Sequence, residues 1–460
     1  MRKNYLIQMT AGVLALSFLA GCTKKINSLE KPQSSAQMSD TAVANMQSLA
    51  VTNFTYTVKP TEWMVDGTKI PAGATIYIPA GKRGALLLKN LKGTSVAPII
   101  IVNQGGKVTF STDLSASYGF KTQNCRYFKV LGNGVSSVKY GFEVNGGNIG
   151  MTMDDLSSDF EIANVDVHNT GFAGIMAKTD PTCDQATWRG HFTMANVYIH
   201  DNYVHKTGGE GLYIGNSFYE DGVSTSCGTV LPHDVVNLKV LRNLTDSTGS
   251  EGIQVGSATF GCIINTNTVK NPGVSPFSAY QDNGIQLGEG TGGRCYNNLI
   301  QNAPGNGIIV LGLGDNVVYN NYILDSKSYG IFADSRYTPG PNFQFLNNTI
   351  IGSALGGIKL NSETIPMNTV INNAIVQKAG LPTIITKSRS VKLKASNNYF
   401  GTDINLCGFV NYKLGNYRLL SSSPFINKGT DVSSSAVWYD YYGSKRINNG
   451  ICDIGAAEYY

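Results

Sequence analysis

The sequence predicts an all-β chain wound as a parallel β-helix, a solenoid closed by a C-terminal cap. Three observations predict it: a unit that recurs at short intervals, apolar positions that alternate with polar ones, and Asn and Gly at the bends. The stretch NNLIQNAPGNGIIV starts at Asn297, and NNYILDSKSYGIFA starts at Asn320, 23 residues later. In both, an Asn stands nine residues before a Gly (Asn298 and Gly307, Asn321 and Gly330). The same step joins Asn202 to Gly211, Asn243 to Gly252 and Asn348 to Gly357.

After each of these glycines comes Leu212, Ile253, Ile308, Ile331 or Ile358. Two residues further stands Ile214, Val255, Val310, Ala333 or Leu360. This alternation is strand periodicity. Units repeat every 23 to 41 residues, the interval of a solenoid. One unit cannot bury its own apolar side, but stacked units share a core. No unit carries a convincing amphipathic helix or a leucine-rich consensus, which leaves the parallel β-helix. The pairs Asn297/Asn298, Asn320/Asn321, Asn347/Asn348, Asn372/Asn373 and Asn397/Asn398 fit it. Asn tolerates the left-handed backbone of a bend, and stacked coils would align the second Asn of each pair as a ladder of amides.

Four segments follow from the pattern: a signal peptide (1–21), a polar tether (22–52), the β-helix (53–400) and a terminal cap (401–460). The chain begins MRKNYLIQMTAGVLALSFLAGC, a basic start, an apolar run and then Leu19-Ala20-Gly21-Cys22. The last four residues resemble the bacterial lipobox, which implies cleavage before Cys22, a lipid on that Cys and anchoring to a bacterial membrane, at the cell surface or facing the periplasm. Gly is abundant at 52 residues, and only 15% of residues are charged. The net charge of +5, or +3 once Arg2 and Lys3 leave with the signal, is small for 460 residues and calls for no nucleic acid partner. The chain is expected to be a monomer.

The Asn-rich coils resemble bacterial right-handed parallel β-helix proteins of the pectate lyase type. AGATIYIPAG (72–81), GTSVAPIIIVNQGGKVTF (93–110) and SEGIQVGS (250–257) are similar to segments of the chondroitinase B and alginate lyase branch. The ending SSSPFINKGTD…DIGAAEYY resembles the terminal segment of many such surface proteins. The resemblance implies a polysaccharide as the partner. That branch carries an acidic calcium pair in an E-x-E coil and a catalytic Lys in an NKS segment. Here the corresponding coil reads GCIINTNTVKN, so no catalytic residue transfers. The polygalacturonase set NTD…DD…GHG…RIK is also absent.

The position two after each coil Gly should face outward: Glu143, Met176, Tyr213, Gln254, Gln286, Ile309, Phe332 and Lys359. Polar groups gather between Gly174 and Gly284, where three insertions (178–190, 216–234 and 271–282) could wall a groove. Just before Gly stand Glu210 and Glu251 in successive coils, with Asp282 and Asn283 next. Carboxylates stacked about 4.8 Å apart repel unless a proton or a cation such as Ca²⁺ intervenes, or they are exposed turn residues with water between them. Lys178, with Glu210 and Glu251, forms a candidate catalytic set for proton abstraction next to a uronate carboxylate. His205, Lys206, Arg189 and Arg294 are further bases or cations near this region, each equally able to be a solvated charge. Tyr213, Gln254, Gln286, Trp188 and Asp282 are candidate substrate-binding residues; the aromatic ones, with Phe218, Tyr219 and Tyr280, could stack on sugars or anchor loops. His168 and His200 occupy similar places in consecutive units, as a metal pair or as stacked turn residues.

Cys262 and Cys295 fall on inward rows. Cys183 and Cys227 lie in insertions on one edge and could pair, as could Cys407 and Cys452 in the cap. Three function classes remain open: a lyase cleaving an acidic, uronate-containing polysaccharide by β-elimination, a non-catalytic carbohydrate-binding or adhesive β-helix, and a glycoside hydrolase.

Overall fold

The computed structural model describes residues 54–335, 340–447 and 450–460. Cys22, the signal segment and the tether lie outside these residues. Each coil contributes short strands to three parallel ladders, which run the length of the stack. One coil shows the plan: Lys239–Leu241 in the first sheet, Leu244–Asp246 in the second and Ile253–Val255 in the third. The next coil repeats it with Ile263–Asn265, Thr268–Lys270 and Ile285–Leu287, paired residue for residue. The third sheet is a 12-stranded parallel stack from Met64–Asp66 to Ile384–Thr386. No helix among the described residues is long and apolar enough to cross a membrane.

Alternation turns every second side chain inward, so Val, Ile, Leu and Phe fill one core that runs from Val58 to Val391. Cys262 and Cys295 belong to it, as the register requires. The bend between the first two sheets divides its work between two residues. The first has a left-handed backbone: Asn297, Asn320, Asn347, Asn372 and Asn397, and in earlier coils Asp201, Arg242 and Thr266. The second is the buried ladder. Asn243, Asn267, Asn298, Asn321 and Asn348 each donate their side-chain amide to the Oδ1 of the next ladder Asn at 2.9–3.0 Å, and each backbone N–H bonds the same atom. Each also donates to a carbonyl of the preceding coil, as Asn243 does to Ile199. Buried amides thus find partners along the whole axis.

The third-sheet bend needs Gly for a steric reason. A Cβ on Gly307 would meet the side chain of Ile323 and the carbonyl of Gly330 in the next coil. Register puts Gly119, Gly150 and Gly174 in this row. Gly141 and Glu143 are not part of it: Phe142–Asn145 pairs with Val165–Thr170 in the second sheet. His168 and His200 are likewise in different sheets. His168 pairs with His205, whereas His200 pairs with Leu241.

The segment after 400 lies along the flank of the stack. Its apolar residues Tyr417, Leu419 and Phe425 cluster with Tyr322, Ile351 and Val376, which the second sheet turns outward. Its backbone meets the outward row of Asn side chains: Asn320 donates to Tyr439 O at 2.7 Å, Asn372 to Thr430 O at 2.7 Å and Asn397 to Lys428 O at 3.1 Å. Cys407 and Cys452 are both free and buried, so the expected pairing in the cap is not formed.

Candidate functional site

Between the second and third insertions, over the third sheet, lies a cavity of about 380 Å³. Its floor is Gln254, Gln286 and Ile309, the residues two after Gly in three successive coils; Gln286 is half-buried, and Gln254, 2% exposed, lies beneath the Ser217 wall. Its walls are Ser217, Phe218 and Asp221 from one insertion and Ala279, Tyr280 and Gln281 from the next. Phe218 and Tyr280 are 56% and 86% exposed, so their rings remain available. Gln254 donates to Ser217 Oγ at 2.9 Å, and Tyr213 Oη lies 3.0 Å from the same hydroxyl. Ser217 therefore joins one wall to the floor, a role that sequence reasoning missed.

The walls are tied down. Cys183 of the first insertion and Cys227 of the second form a disulfide. The Arg189 guanidinium lies 3.8 Å from the Tyr219 ring centre, and its Nε donates to Pro232 O at 3.1 Å. Beneath them His233 is fully buried. Its Nε2 accepts from Thr179 N–H at 3.0 Å, and burial draws its pKa down to about 4.

Upstream of the cavity the outward row continues as Tyr213 and Met176, which the loops cover: they are only 8% and 6% exposed. The Lys178 ammonium lies 4.6 Å from the Tyr213 ring centre and 2.8 Å from Asp180 Oδ1. Burial pulls the Lys178 pKa down, but Tyr213, Asp180 and Glu210 outweigh it and hold the group above the usual lysine range. Lys178 is thus held between the Tyr213 ring and the Asp180 carboxylate.

Glu210 and Glu251 stack as the register requires, but inside the bend: they are 1% and 0% exposed. Burial raises Glu210 to about 7 and Glu251 to about 8, Glu251 also feeling Glu210 and Asp282. Asn283 donates to Glu251 Oε1, while Oε2 of each Glu has no hydrogen-bond partner. Two orphaned oxygens invite a proton or a cation, but alone they fall short of the roughly six oxygens Ca²⁺ takes. Neither Glu lines the cavity.

The other candidates scatter. Trp188 is half-buried, donates to Thr182 O at 2.7 Å and anchors its own loop. Asp282 is half-buried beside Asn283, its carboxyl raised by burial, and it lies outside the cavity lining. Arg294 binds Ser435 O at 2.9 Å, far along the chain. Gln254 and Gln286 meet in the cavity, with Phe218 and Tyr280.

Residues 232–400 match the family model described as a right-handed β-helix region. No curated protein matches the chain. Among solved structures, a GH136 lacto-N-biosidase from Eubacterium ramulus is similar with a TM-score of 0.48 and 13% identity, over 73% of this chain and 63% of that one. The chain thus spans just under two thirds of that enzyme. Pectate lyase Pel9A gives 0.47 and 15%, over 89% and 98% of the two chains. A PL6 family polysaccharide lyase from Pseudopedobacter saltans gives 0.40 and 12%, over 85% and 98%. The stacked coils and the matched region together identify the chain as a right-handed single-stranded parallel β-helix.

Proposed function

We propose that this protein binds a polysaccharide in the groove over the third sheet, as a monomer tethered outside the bacterial cytoplasm through a lipid on Cys22. One observation carries the reading: two side-chain amides floor a cavity flanked by two exposed aromatic rings. Amides pair with sugar hydroxyls, and aromatic faces cover the apolar faces of sugar rings. Among the described residues the lining contains Asp221 and Glu289 and no Lys or Arg. Carboxylates accept from sugar hydroxyls, and a divalent cation such as Ca²⁺ could bridge them to a polyuronate.

Catalytic readings rest on less. Hydrolysis would use Asp221 and Glu289, since glycosidases work with two carboxyl groups. β-Elimination would use Lys178 to neutralise a uronate carboxylate, with a base supplied by Glu210, Glu251 or Tyr213, all of them covered. A panel of neutral and acidic polysaccharides, with and without EDTA, separates the three. Gel retardation by a neutral or acidic glycan without products supports binding. The ultraviolet absorbance of an unsaturated uronide supports elimination, new reducing ends support hydrolysis, and no retardation by any glycan removes the proposal.

A further inference from the structure

A second cluster lies on the outward face of the second sheet and is independent of the groove. Alternation places Asp166 and His168 on the same face of Val165–Thr170, and the register sets His205 of the next coil against His168. One ligand atom from each of Asp166, His168 and His205 falls within 4.8 Å of the other two. All three side chains are half-buried, with 14–17% of their surface exposed.

Three features distinguish this cluster from ordinary histidine–carboxylate pairs. First, His205 Nε2 lies 3.1 Å from Asp166 Oδ1. Around a tetrahedral metal with bonds of about 2.0–2.1 Å, neighbouring ligand atoms are about 3.3 Å apart, so a metal fits the His205–Asp166 edge; the stacked His168 ring, now 3.1 Å from Glu143 at Nε2 and 2.9 Å from Asn169 Nδ2 at Nδ1, would turn to join it. Second, the His205 ring is held in place: it stacks on Tyr203 at 4.1 Å and on His168 at 4.8 Å. Third, the charge is uncompensated. Among the described residues Asp166 pairs with no Lys or Arg, whereas the adjacent Glu143, 3.1 Å from His168 Nε2, already has Lys107 at 3.2 Å. His200 gives the contrast. It too touches carboxylates, Glu161 and Asp201, but Lys129 and Arg242 neutralise them.

We propose that Asp166, His168 and His205 form a binding site for a divalent transition metal of the zinc class. Two imidazole nitrogens and one carboxylate suit Zn²⁺, Ni²⁺ or Cu²⁺ and not Ca²⁺ or Mg²⁺, which take oxygen ligands. Three protein ligands on an open sheet face leave further positions to water. Because the metal displaces protons from imidazole, affinity falls as pH drops.

The test is calorimetric titration of the metal-stripped protein with Zn²⁺, followed by Co²⁺ for its visible absorption. The expected result is one saturable equivalent and a cobalt spectrum of nitrogen and oxygen ligands. His168→Ala/His205→Ala should weaken binding by about tenfold or more, while His200→Ala should leave it unchanged. Should the double variant melt early, the isosteric Asp166→Asn carries the same expectation. The proposal is overturned if the protein shows no saturable Zn²⁺ binding, if Asp166→Asn and the double variant bind as the parent does, or if His200→Ala abolishes binding.

Discussion

Asn283 Nδ2 donates to Glu251 Oε1 at 3.0 Å, and Asn283 Oδ1 accepts from Asn306 Nδ2 at 2.8 Å. The column of side chains before the third-sheet glycines therefore runs Glu210, Glu251, Asn283, Asn306, amides continuing where the carboxylates stop. Both carboxyls are raised above the ordinary 4.5, to about 7 and about 8, by burial. A raised folded pKa stabilises the protein below the unfolded value and loses that stability as pH climbs through the folded one. Melting temperature should thus fall between about pH 5 and about pH 9, and Glu251→Gln should flatten the decline. A melting temperature that rises over that window would mean that a bound cation keeps both groups ionised.

The amide ladder should be among the least tolerant features of the coil. Asn321 donates to Asn348 Oδ1 at 2.9 Å and to Cys295 O at 3.0 Å, and it accepts from Asn298. Asn321→Leu removes these partners inside the stack and should cost on the order of 1–3 kcal/mol for each group left unsatisfied. Asn320→Asp, in the left-handed position one residue earlier, should disturb the coil itself less. Denaturant unfolding of the two variants measures the difference.

The Cys183–Cys227 disulfide spans 44 residues and joins the first insertion to the one that walls the cavity. Its loss should lower stability by about 2–4 kcal/mol and weaken glycan binding by loosening the wall. Cys183→Ser/Cys227→Ser, followed by melting and by affinity electrophoresis, checks both effects.

Arg446 links the terminal segment to the coils. It is 1% exposed, donates to Glu458 Oε1 at 2.6 Å and reaches Asn320 Oδ1 at 2.6 Å. Arg446→Ala leaves a buried carboxylate without its partner, a change of about 3–5 kcal/mol. Limited proteolysis should then release fragments from residues beyond 400 before the coils are cut.

Much of the coil was legible because it is periodic. The Asn-to-Gly step located the ladder, the glycine row and the inward Cys262 and Cys295, each fixed by a steric or hydrogen-bonding demand that repeats. Where the spacing loosens, the reading slipped. The spacing places Glu143 in the outward row two after Gly, although the coil there is served by Gly150, and it aligns His168 with His200 and not with His205. The groove was half legible. Gln254 and Gln286 stand in the periodic row, and the insertions announced its walls. Ser217 was missed because loop side chains follow no period. The burial of Glu210 and Glu251 was missed because the bend turns inward, and alternation along strands does not report on bends. The flank contacts of the terminal segment with the outward Asn row join residues 31 to 126 positions apart, beyond the reach of local pattern.

The central claim is that the third-sheet cavity holds a sugar chain on Gln254 and Gln286. The most direct measurement is a calorimetric titration of the wild type and of Gln254→Ala/Gln286→Ala with the polysaccharide that retards the protein in gels. The account predicts saturable binding by the wild type and a loss of about tenfold or more in the variant, two buried polar contacts being worth on the order of 1.5 kcal/mol or more together; Gln286→Ala alone, which leaves the Gln254–Ser217 bond in place, should lose part of that affinity with Tm little changed. Equal affinity in the two proteins would contradict it and move the binding surface elsewhere on the helix.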